Sequence, residues 1–200
     1  MDKIPSFIES ICIKNGKIQL LQYHNQRANA ARSSHSIREG LLDFGKCINT
    51  DKAIHATTKC RIVYGQKIEK IEYLPYTLKP INSLKTINIE ENWSYEHKYL
   101  DRSKLAFYFN QKEDADDIIM IQSGFVTDSY YCNLAFLKNG LWYTPTKPLL
   151  PGTKRAYLLS TKQILETDIP IDKINSYESV RLFNAMIDFG QIELSTRAIF

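Results

Sequence analysis

The sequence predicts a mixed α+β fold whose chain divides into two lobes. Asn15-Gly16 and Asn139-Gly140 each lie between β-rich runs, and an Asn-Gly pair in that setting is the strongest short-range signal for a hairpin. Segments with helical periodicity alternate with these hairpins. Proline and small polar residues fill Lys79–Ser83, which we interpret as the linker between an N-terminal lobe at 1–80 and a C-terminal lobe at 84–200.

The N-terminal lobe is predicted to contain two hairpins and two helices. Its first hairpin is followed by a polar helix, and an amphipathic helix with apolar residues on one face comes next. Two further strands turn around Gly65-Gln66. In chain order, we predict strands at Phe7–Ile13 and Ile18–Leu21, helices at Tyr23–Ser33 and Ile37–Ile48, and strands at Cys60–Gly65 and Ile68–Leu78.

The C-terminal lobe is predicted to be richer in strands. A helix follows its first strand, a buried apolar strand comes next, and the second Asn-Gly hairpin then leads into another helix. In chain order, we predict strand Leu84–Ile89, helix Ser103–Gln111, strand Ile118–Ile121, strands Asn133–Leu137 and Leu141–Thr144, helix Ala156–Leu165, and strands Ile169–Ile174 and Tyr177–Phe183.

Composition argues against several classes of protein. The 200 residues are 44% hydrophobic and carry a net charge of +4, and the basic side chains are interspersed with 22 acids, so no nucleic-acid footprint is indicated. A solvated surface explains this mild charge most simply, although an anionic cofactor or substrate also fits. The four cysteines lack CxxC spacing, which argues against a zinc or other metal site. Without a signal pattern or a membrane-length apolar run, we expect a cytoplasmic protein with reduced thiols and no membrane partner.

The run from Gly124 to Arg155 concentrates residues suited to a binding site. Asp128 places a carboxylate directly after the β-branched pair Val126-Thr127, ahead of the second hairpin. The run ends in Pro151-Gly152-Thr153-Lys154-Arg155, which opens a helix. The first N–H groups of a helix and its positive dipole end favour an anion such as phosphate. The run therefore predicts a carboxylate and an anion site on one hairpin frame.

This run resembles the signature of the class IV (fold-type IV) pyridoxal-phosphate enzymes, which include branched-chain and D-amino-acid aminotransferases and 4-amino-4-deoxychorismate lyase. Asp128 replaces the usual glutamate, and Thr153-Lys154 replaces Ile-Thr. The resemblance implies a pyridoxal 5'-phosphate cofactor and a two-lobed fold like that of D-amino-acid aminotransferase, with a small α+β lobe and a larger pseudo-barrel lobe that binds the cofactor. The matched positions are Gly124, Val126, Thr127, Asn133, Thr144, Pro145, Gly152 and Arg155.

The same resemblance implies roles for residues outside the run. Lys98-Tyr-Leu-Asp-Arg102 is similar to the Lys-x-Leu-Asn-Arg motif of the lyases, which makes Lys98 the catalytic Schiff-base lysine; Lys104 is the competing candidate. His24-x-x-Arg27 is similar to the segment whose arginine grips the cofactor phosphate, although a surface arginine is the alternative. The implied cofactor-binding residues are Arg27, Lys98, Asp128, Gly152, Thr153 and Lys154, and the implied substrate-binding residues are Ser10 and Asn184.

Three activities stay open at this level. The Lys98 and Asn184-Ala-Met186 matches favour a lyase that forms p-aminobenzoate and pyruvate from a small-molecule amino substrate. An aminotransferase acting on D- or branched-chain amino acids uses the same apparatus. A truncated, non-catalytic family member is the third interpretation, because Asp128 departs from the signature and a further strand and loop expected at the N-terminus are missing. Asp128 as a turn residue and Asn184 at a strand-end turn are the corresponding structural alternatives. The family also implies a homodimer.

Overall fold

The computed structural model describes residues 5–200 and confirms the predicted α+β class. The chain forms two compact units. Unit 1 comprises the chain up to Leu78 together with His97–Asp101, and unit 2 comprises Lys79–Glu96 and Arg102–Phe200. Within residues 5–200, none of the helices combines the length and apolar character needed to cross a lipid bilayer.

Unit 1 is an antiparallel sheet with one helix packed on it. Its strands are β1 (Phe7–Lys14), β2 (Lys17–Ile18), β3 (Thr57–Tyr64) and β4 (Ile68–Pro75), in the order β2-β1-β3-β4, and its helix is α1 (Leu21–Ser34). The predicted first hairpin is confirmed, because Asn15 and Gly16 both take positive φ, at 48° and 72°. Its second strand is shorter than predicted. Alternate residues of β1 enter the core with α1 and β3, among them Phe7, Ile11 and Ile13.

The predicted helix at Ile37–Ile48 is wrong. This stretch is irregular apart from a 3-10 turn at Phe44–Lys46, although Ile37, Phe44 and Ile48 still enter the core. Side chains of α1 satisfy its backbone instead of a helical ladder. Asn29 accepts from the Leu42 N–H at 2.8 Å and donates to the Leu42 carbonyl at 2.9 Å. Because these hydrogen bonds from α1 satisfy the Leu42 backbone groups, those groups do not require helical hydrogen bonds.

The segment His97–Asp101 returns to unit 1 and lies along β1. The Ile8 N–H donates to the Lys98 carbonyl at 2.9 Å, and the Leu100 N–H donates to the Ser6 carbonyl at 2.8 Å. The ring of Tyr99 stacks on Phe7. Lys98 is therefore held by backbone hydrogen bonds beside the first strand of the unit.

Unit 2 contains two sheets and two helices. A three-stranded sheet has the order β5-β6-β7, with β5 and β6 parallel, and a five-stranded sheet has the order β10-β9-β8-β11-β12, with β9 and β10 parallel. The second Asn-Gly hairpin, which joins β8 to β9, is confirmed. The elements are β5 (Leu84–Asn88), α2 (Ser103–Phe109), β6 (Asp117–Gln122), β7 (Phe125–Ser129), β8 (Asn133–Lys138), β9 (Leu141–Pro145), α3 (Thr153–Ser160), β10 (Leu165–Thr167), β11 (Ser179–Asn184) and β12 (Ile187–Ser195).

Two predictions in unit 2 need correction, and one long strand was missed. Helix α3 ends five residues early because the chain reverses at Lys162, whose φ is 56°, and Leu165 begins β10. The strand predicted at Ile169–Ile174 is wrong, since Pro170 precedes a 3-10 turn over Ile171–Ser176 in which Lys173 N–H donates to the Pro170 carbonyl. The long strand β12 was not predicted.

Candidate functional site

Arg27, the predicted phosphate anchor, is held by a buried carboxylate. Its Nε donates to Glu9 Oε1 at 2.9 Å, and its Nη2 donates to Glu9 Oε2 at 2.5 Å. Glu9 lies on the core face of β1 with none of its surface exposed, whereas 14% of the Arg27 side chain is exposed. This bidentate, charge-assisted pair fixes the plane of the guanidinium.

His24 completes this cluster one helical turn before Arg27. Its Nδ1 lies 2.6 Å from Glu9 Oε2, and the ring is fully buried. Burial is the largest influence on the pKa of His24 and lowers it, against the raising effect of Glu9. Burial raises the pKa of Glu9, but Arg27 and His24 outweigh it and hold that pKa at about 2. Glu9 is thus a carboxylate and His24 a neutral ring that donates from Nδ1, because an ionised carboxylate only accepts.

Lys98, the predicted catalytic lysine, belongs to the same unit as this cluster. Its backbone is bonded to Ile8, the neighbour of Glu9 along β1, and its charge is one of the influences that lower the pKa of His24. The competing Lys104 lies on α2 in unit 2. Its Nζ forms an ion pair with Glu90 at 2.6 Å on the protein surface and lies 5.3 Å from the centre of the Trp93 ring. These contacts account for Lys104 as a surface residue.

Ser10 lies on the opposite face of β1 from Glu9. It is half-buried, and its register partner across the sheet is Arg61 of β3. Side chains alternate between the two faces of a strand, so Ser10 and Arg27 approach β1 from opposite faces. The substrate role of Ser10 stays a prediction.

Asp128, the predicted cofactor carboxylate, is buried at the end of β7 in unit 2. One oxygen accepts from Asn133 Nδ2 at 2.7 Å and the other accepts from the Leu150 N–H at 2.8 Å. Only 5% of Asp128 is exposed, and burial raises its pKa to about 6 against the lowering effect of these hydrogen bonds. Within residues 5–200, no lysine or arginine forms an ion pair with this carboxylate.

Asn133 connects Asp128 to the start of α3. Its Nδ2 also donates to the Leu150 carbonyl at 2.9 Å, so one amide bonds both the carboxylate and the chain before the helix. A Cβ on Gly152 would lie 1.9 Å from Asn133 Oδ1, whereas the φ of Gly152, −73°, suits any residue. The lack of a side chain at Gly152 is therefore required by space and not by backbone torsion.

Of the remaining residues at the α3 start, Lys154 and Arg155 have protein partners in unit 2. Thr153 is buried at the first helical position. Lys154 Nζ forms an ion pair with Asp188 Oδ1 at 2.7 Å, although its side chain is only 12% exposed. Arg155 donates to the Pro145 carbonyl and to Glu166 Oε1, which ties α3 to β9 and β10. The signature arginine thus has a structural role in the described chain.

Asn184 shapes the turn between β11 and β12. Its Oδ1 accepts from the N–H groups of Met186 and Ile187, and its Nδ2 donates to the Tyr131 carbonyl and to Cys132 Sγ. These four contacts give the residue a structural role at a strand end. Its predicted contact with substrate has no counterpart among them and stays a prediction.

Two polar residues that were not among the predicted site residues form hydrogen bonds to them. Glu9 binds Arg27 and His24 in unit 1, and Asn133 binds Asp128 in unit 2. For Glu9, the available signal was a glutamate on the same strand face as the apolar residues Phe7 and Ile11. For Asn133, its place in the signature pointed to importance, but its partners depend on the fold.

Comparison with known proteins identifies the family. The family model described as "Amino-transferase class IV" matches residues 65–194. A Haemophilus influenzae protein without an assigned function is 32% identical over 89% of this chain and 96% of its own. A Schizosaccharomyces pombe protein named "Putative aminodeoxychorismate lyase" is 29% identical over 86% of this chain and 82% of its own.

Solved structures share the fold. A crystal structure titled as a "putative 4-amino-4-deoxychorismate lyase" from Haemophilus somnus has a TM-score of 0.86 at 34% identity, covering 94% of this chain and 98% of that one. A hypothetical aminotransferase from Mycobacterium tuberculosis in its PLP-bound form has a TM-score of 0.73 at 14% identity, covering 98% and 81%. The fold-type IV architecture expected from the sequence is confirmed.

Proposed function

The chain belongs to the class IV aminotransferase family, and from that membership we propose that it is a lyase acting on 4-amino-4-deoxychorismate to form p-aminobenzoate and pyruvate. The cofactor of this family is pyridoxal 5'-phosphate. The lyase assignment is supported by the names given to the S. pombe relative and to the H. somnus structure. The family also supports a small-molecule substrate, and a homodimer remains part of the proposal.

The observation that carries this proposal is the state of Asp128. The buried Asp128 carboxylate accepts hydrogen bonds from neutral donors and forms no ion pair; these bonds and the charge of Arg155 lower its pKa, but burial outweighs them and raises that pKa to about 6. A protonated pyridine nitrogen would supply the missing positive charge and favour the ionised carboxylate. The residues present therefore fit the cofactor at this position, and Asp128 performs the role of the usual glutamate.

The other cofactor contacts are proposed residue by residue. Arg27 would bind the phosphate through the N–H groups of its oriented guanidinium. Thr153 and the first N–H groups of α3 would bind phosphate oxygens, because the helix start follows directly on Gly152. Lys154 would add positive charge there, in competition with its ion pair to Asp188.

Lys98 is proposed as the catalytic residue. Its amine would hold the cofactor covalently and, once released by the substrate amine, move the proton from the substrate α-carbon. When bound, pyridoxal phosphate supplies an electron sink for the negative charge that this proton loss creates. Asp128 keeps that sink effective by holding a proton on the pyridine nitrogen.

Borohydride reduction tests the cofactor assignment without requiring turnover. The protein is incubated with pyridoxal phosphate, reduced, digested and mapped by mass spectrometry. We expect the pyridoxyl adduct on Lys98, with the adduct lost in Lys98→Ala and kept in the matched variant Lys104→Ala. A protein that stays colourless with the cofactor and carries no adduct would contradict the proposal.

The reaction is tested by a coupled p-aminobenzoate assay run beside a transaminase panel. We expect p-aminobenzoate and pyruvate in equal amounts, with no amino transfer from D-alanine or L-leucine to 2-oxoglutarate. Amino transfer without p-aminobenzoate would identify an aminotransferase. Cofactor binding with no turnover on either panel would identify a non-catalytic family member.

A further inference from the structure

The carboxylate of Glu9 lies where a strand normally places an apolar residue. Its neighbours on the same face of β1, Phe7 and Ile11, belong to the hydrophobic core, and Glu9 itself is fully buried. Burial of a charge is costly unless the charge is paired and hydrogen-bonded. Glu9 has both compensations, from Arg27 and from His24, so the site is built around this carboxylate.

The spacing along α1 directs both partners at this one carboxylate. His24 and Arg27 are three residues apart, which places them on the same face of the helix. Glu9 Oε2 accepts from both of them, and Glu9 Oε1 accepts from Arg27 Nε. His24 therefore holds the carboxylate in the orientation that engages one edge of the guanidinium.

We propose that Glu9 is a positioning residue that orients Arg27 for the phosphate of the cofactor, so that removing its carboxylate weakens binding of the phosphate group. An arginine has five N–H donors, and Glu9 takes one on Nε and one on Nη2. The other three donors are on Nη1 and Nη2, and Glu9 sets the direction in which they point. This inference rests on the proposed role of Arg27 in binding the cofactor phosphate. It adds that Glu9 determines the orientation of the Arg27 guanidinium.

Orientation and charge act in opposite directions here. The long arginine side chain loses considerable rotamer freedom when it binds an anion, and the buried pair removes that freedom beforehand. The negative charge of Glu9 also offsets part of the attraction between Arg27 and a phosphate. We expect orientation to dominate, because the pair is buried and bidentate and therefore fixes the guanidinium before the phosphate binds.

The test compares pyridoxal phosphate with pyridoxal, which lacks the phosphate, in equilibrium dialysis against the full-length protein. For Glu9→Gln, we expect the dissociation constant of pyridoxal phosphate to rise about tenfold and that of pyridoxal to stay within about twofold. Tenfold corresponds to about 1.4 kcal/mol. The matched control is Glu72→Gln, which removes a half-exposed glutamate paired with Arg61 in the same sheet and should change neither constant.

A double-mutant cycle separates positioning from a general loss of structure. In an Arg27→Gln background, adding Glu9→Gln should weaken pyridoxal phosphate binding no further, because Glu9 acts through Arg27. Unfolding curves verify that each variant is folded, and Glu9→Asp, which keeps the charge, should recover part of the affinity.

The results that would contradict the role of Glu9 differ from those that would contradict the cofactor function. If Glu9→Gln binds pyridoxal phosphate as well as or better than the wild type, or loses affinity for both ligands equally, Glu9 does not position Arg27. If the wild-type protein binds neither ligand, the proposed cofactor function itself is wrong.

Discussion

Replacement of Gly152 by alanine tests the contact between the Asp128 carboxylate and the start of α3. The new Cβ would lie 1.9 Å from Asn133 Oδ1 and 3.1 Å from its Cγ, so the Asn133 amide must move. Movement breaks its hydrogen bonds to Asp128 and to the Leu150 carbonyl. A bond to a charged group contributes about 1.5–3 kcal/mol and a neutral one about 0.5–1.5 kcal/mol. We therefore expect Gly152→Ala to lower the free energy of unfolding by about 2–4.5 kcal/mol.

Urea unfolding followed by circular dichroism measures this loss, and the matched control is Gly40→Ala. A Cβ at Gly40 would meet no other atom within 4 Å, and Gly40 does not have a positive φ, so its replacement by alanine should leave the free energy of unfolding unchanged or slightly higher. The double variant Gly152→Ala/Asn133→Ala removes the side chain that clashes and should be less destabilised than the sum of the single variants. A loss below about 0.5 kcal/mol in Gly152→Ala, or strict additivity in the double variant, would refute the reasoning.

Three further predictions each concern one residue of unit 2. Asp117 is buried, its Oδ2 has no hydrogen-bond partner among the described residues, and burial raises its pKa to about 6. An acid with a raised folded-state pKa costs stability above that pKa and none below its unfolded pKa, so Asp117→Asn should stabilise the protein by about 1–3 kcal/mol at pH 7.5. Urea unfolding should show this gain disappearing near pH 3.5, and a gain independent of pH would contradict the assignment. Asn184→Ala should lower the free energy of unfolding by about 1–3 kcal/mol because it removes two hydrogen bonds within the turn and two contacts to Tyr131 and Cys132; an unchanged unfolding midpoint would exclude the structural role. Lys154→Met should change the free energy of unfolding by less than about 1 kcal/mol, because its partner Asp188 is half-exposed and water already solvates that carboxylate; a larger change in chemical unfolding would mean that the ion pair is structural.

Features set by local chemistry were predictable from the sequence. Both Asn-Gly turns were located correctly, because the residues that need positive φ are the turn residues themselves. The family and its cofactor were also predicted, since the signature from Gly124 to Arg155 consists of residue types at fixed spacing. Lys98 and Lys104 could be ranked by their positions relative to a motif, without coordinates.

Features that depend on partners far along the chain could not be predicted in the same way. The stretch Ile37–Ile48 has helical periodicity, yet Asn25 and Asn29 of α1 bind its backbone and hold it irregular. Apolar spacing reports which residues enter a core but not what satisfies the backbone between them. The strand predicted at Ile169–Ile174 was wrong for a similar reason. Ile169 and Ile174 are both buried, as the apolar pattern indicates, but the chain between them forms a 3-10 turn after Pro170.

The sequence by itself determined the class of fold, the two hairpins, the family and the cofactor. Only the tertiary structure decided how the charged residues are compensated. It paired Arg27 with Glu9, 18 residues away, and it connected Asp128 through Asn133 to the chain before Gly152. The physical reason is that a buried charge is stabilised by whichever donors the fold brings within hydrogen-bond distance, and spacing along the chain does not specify those donors.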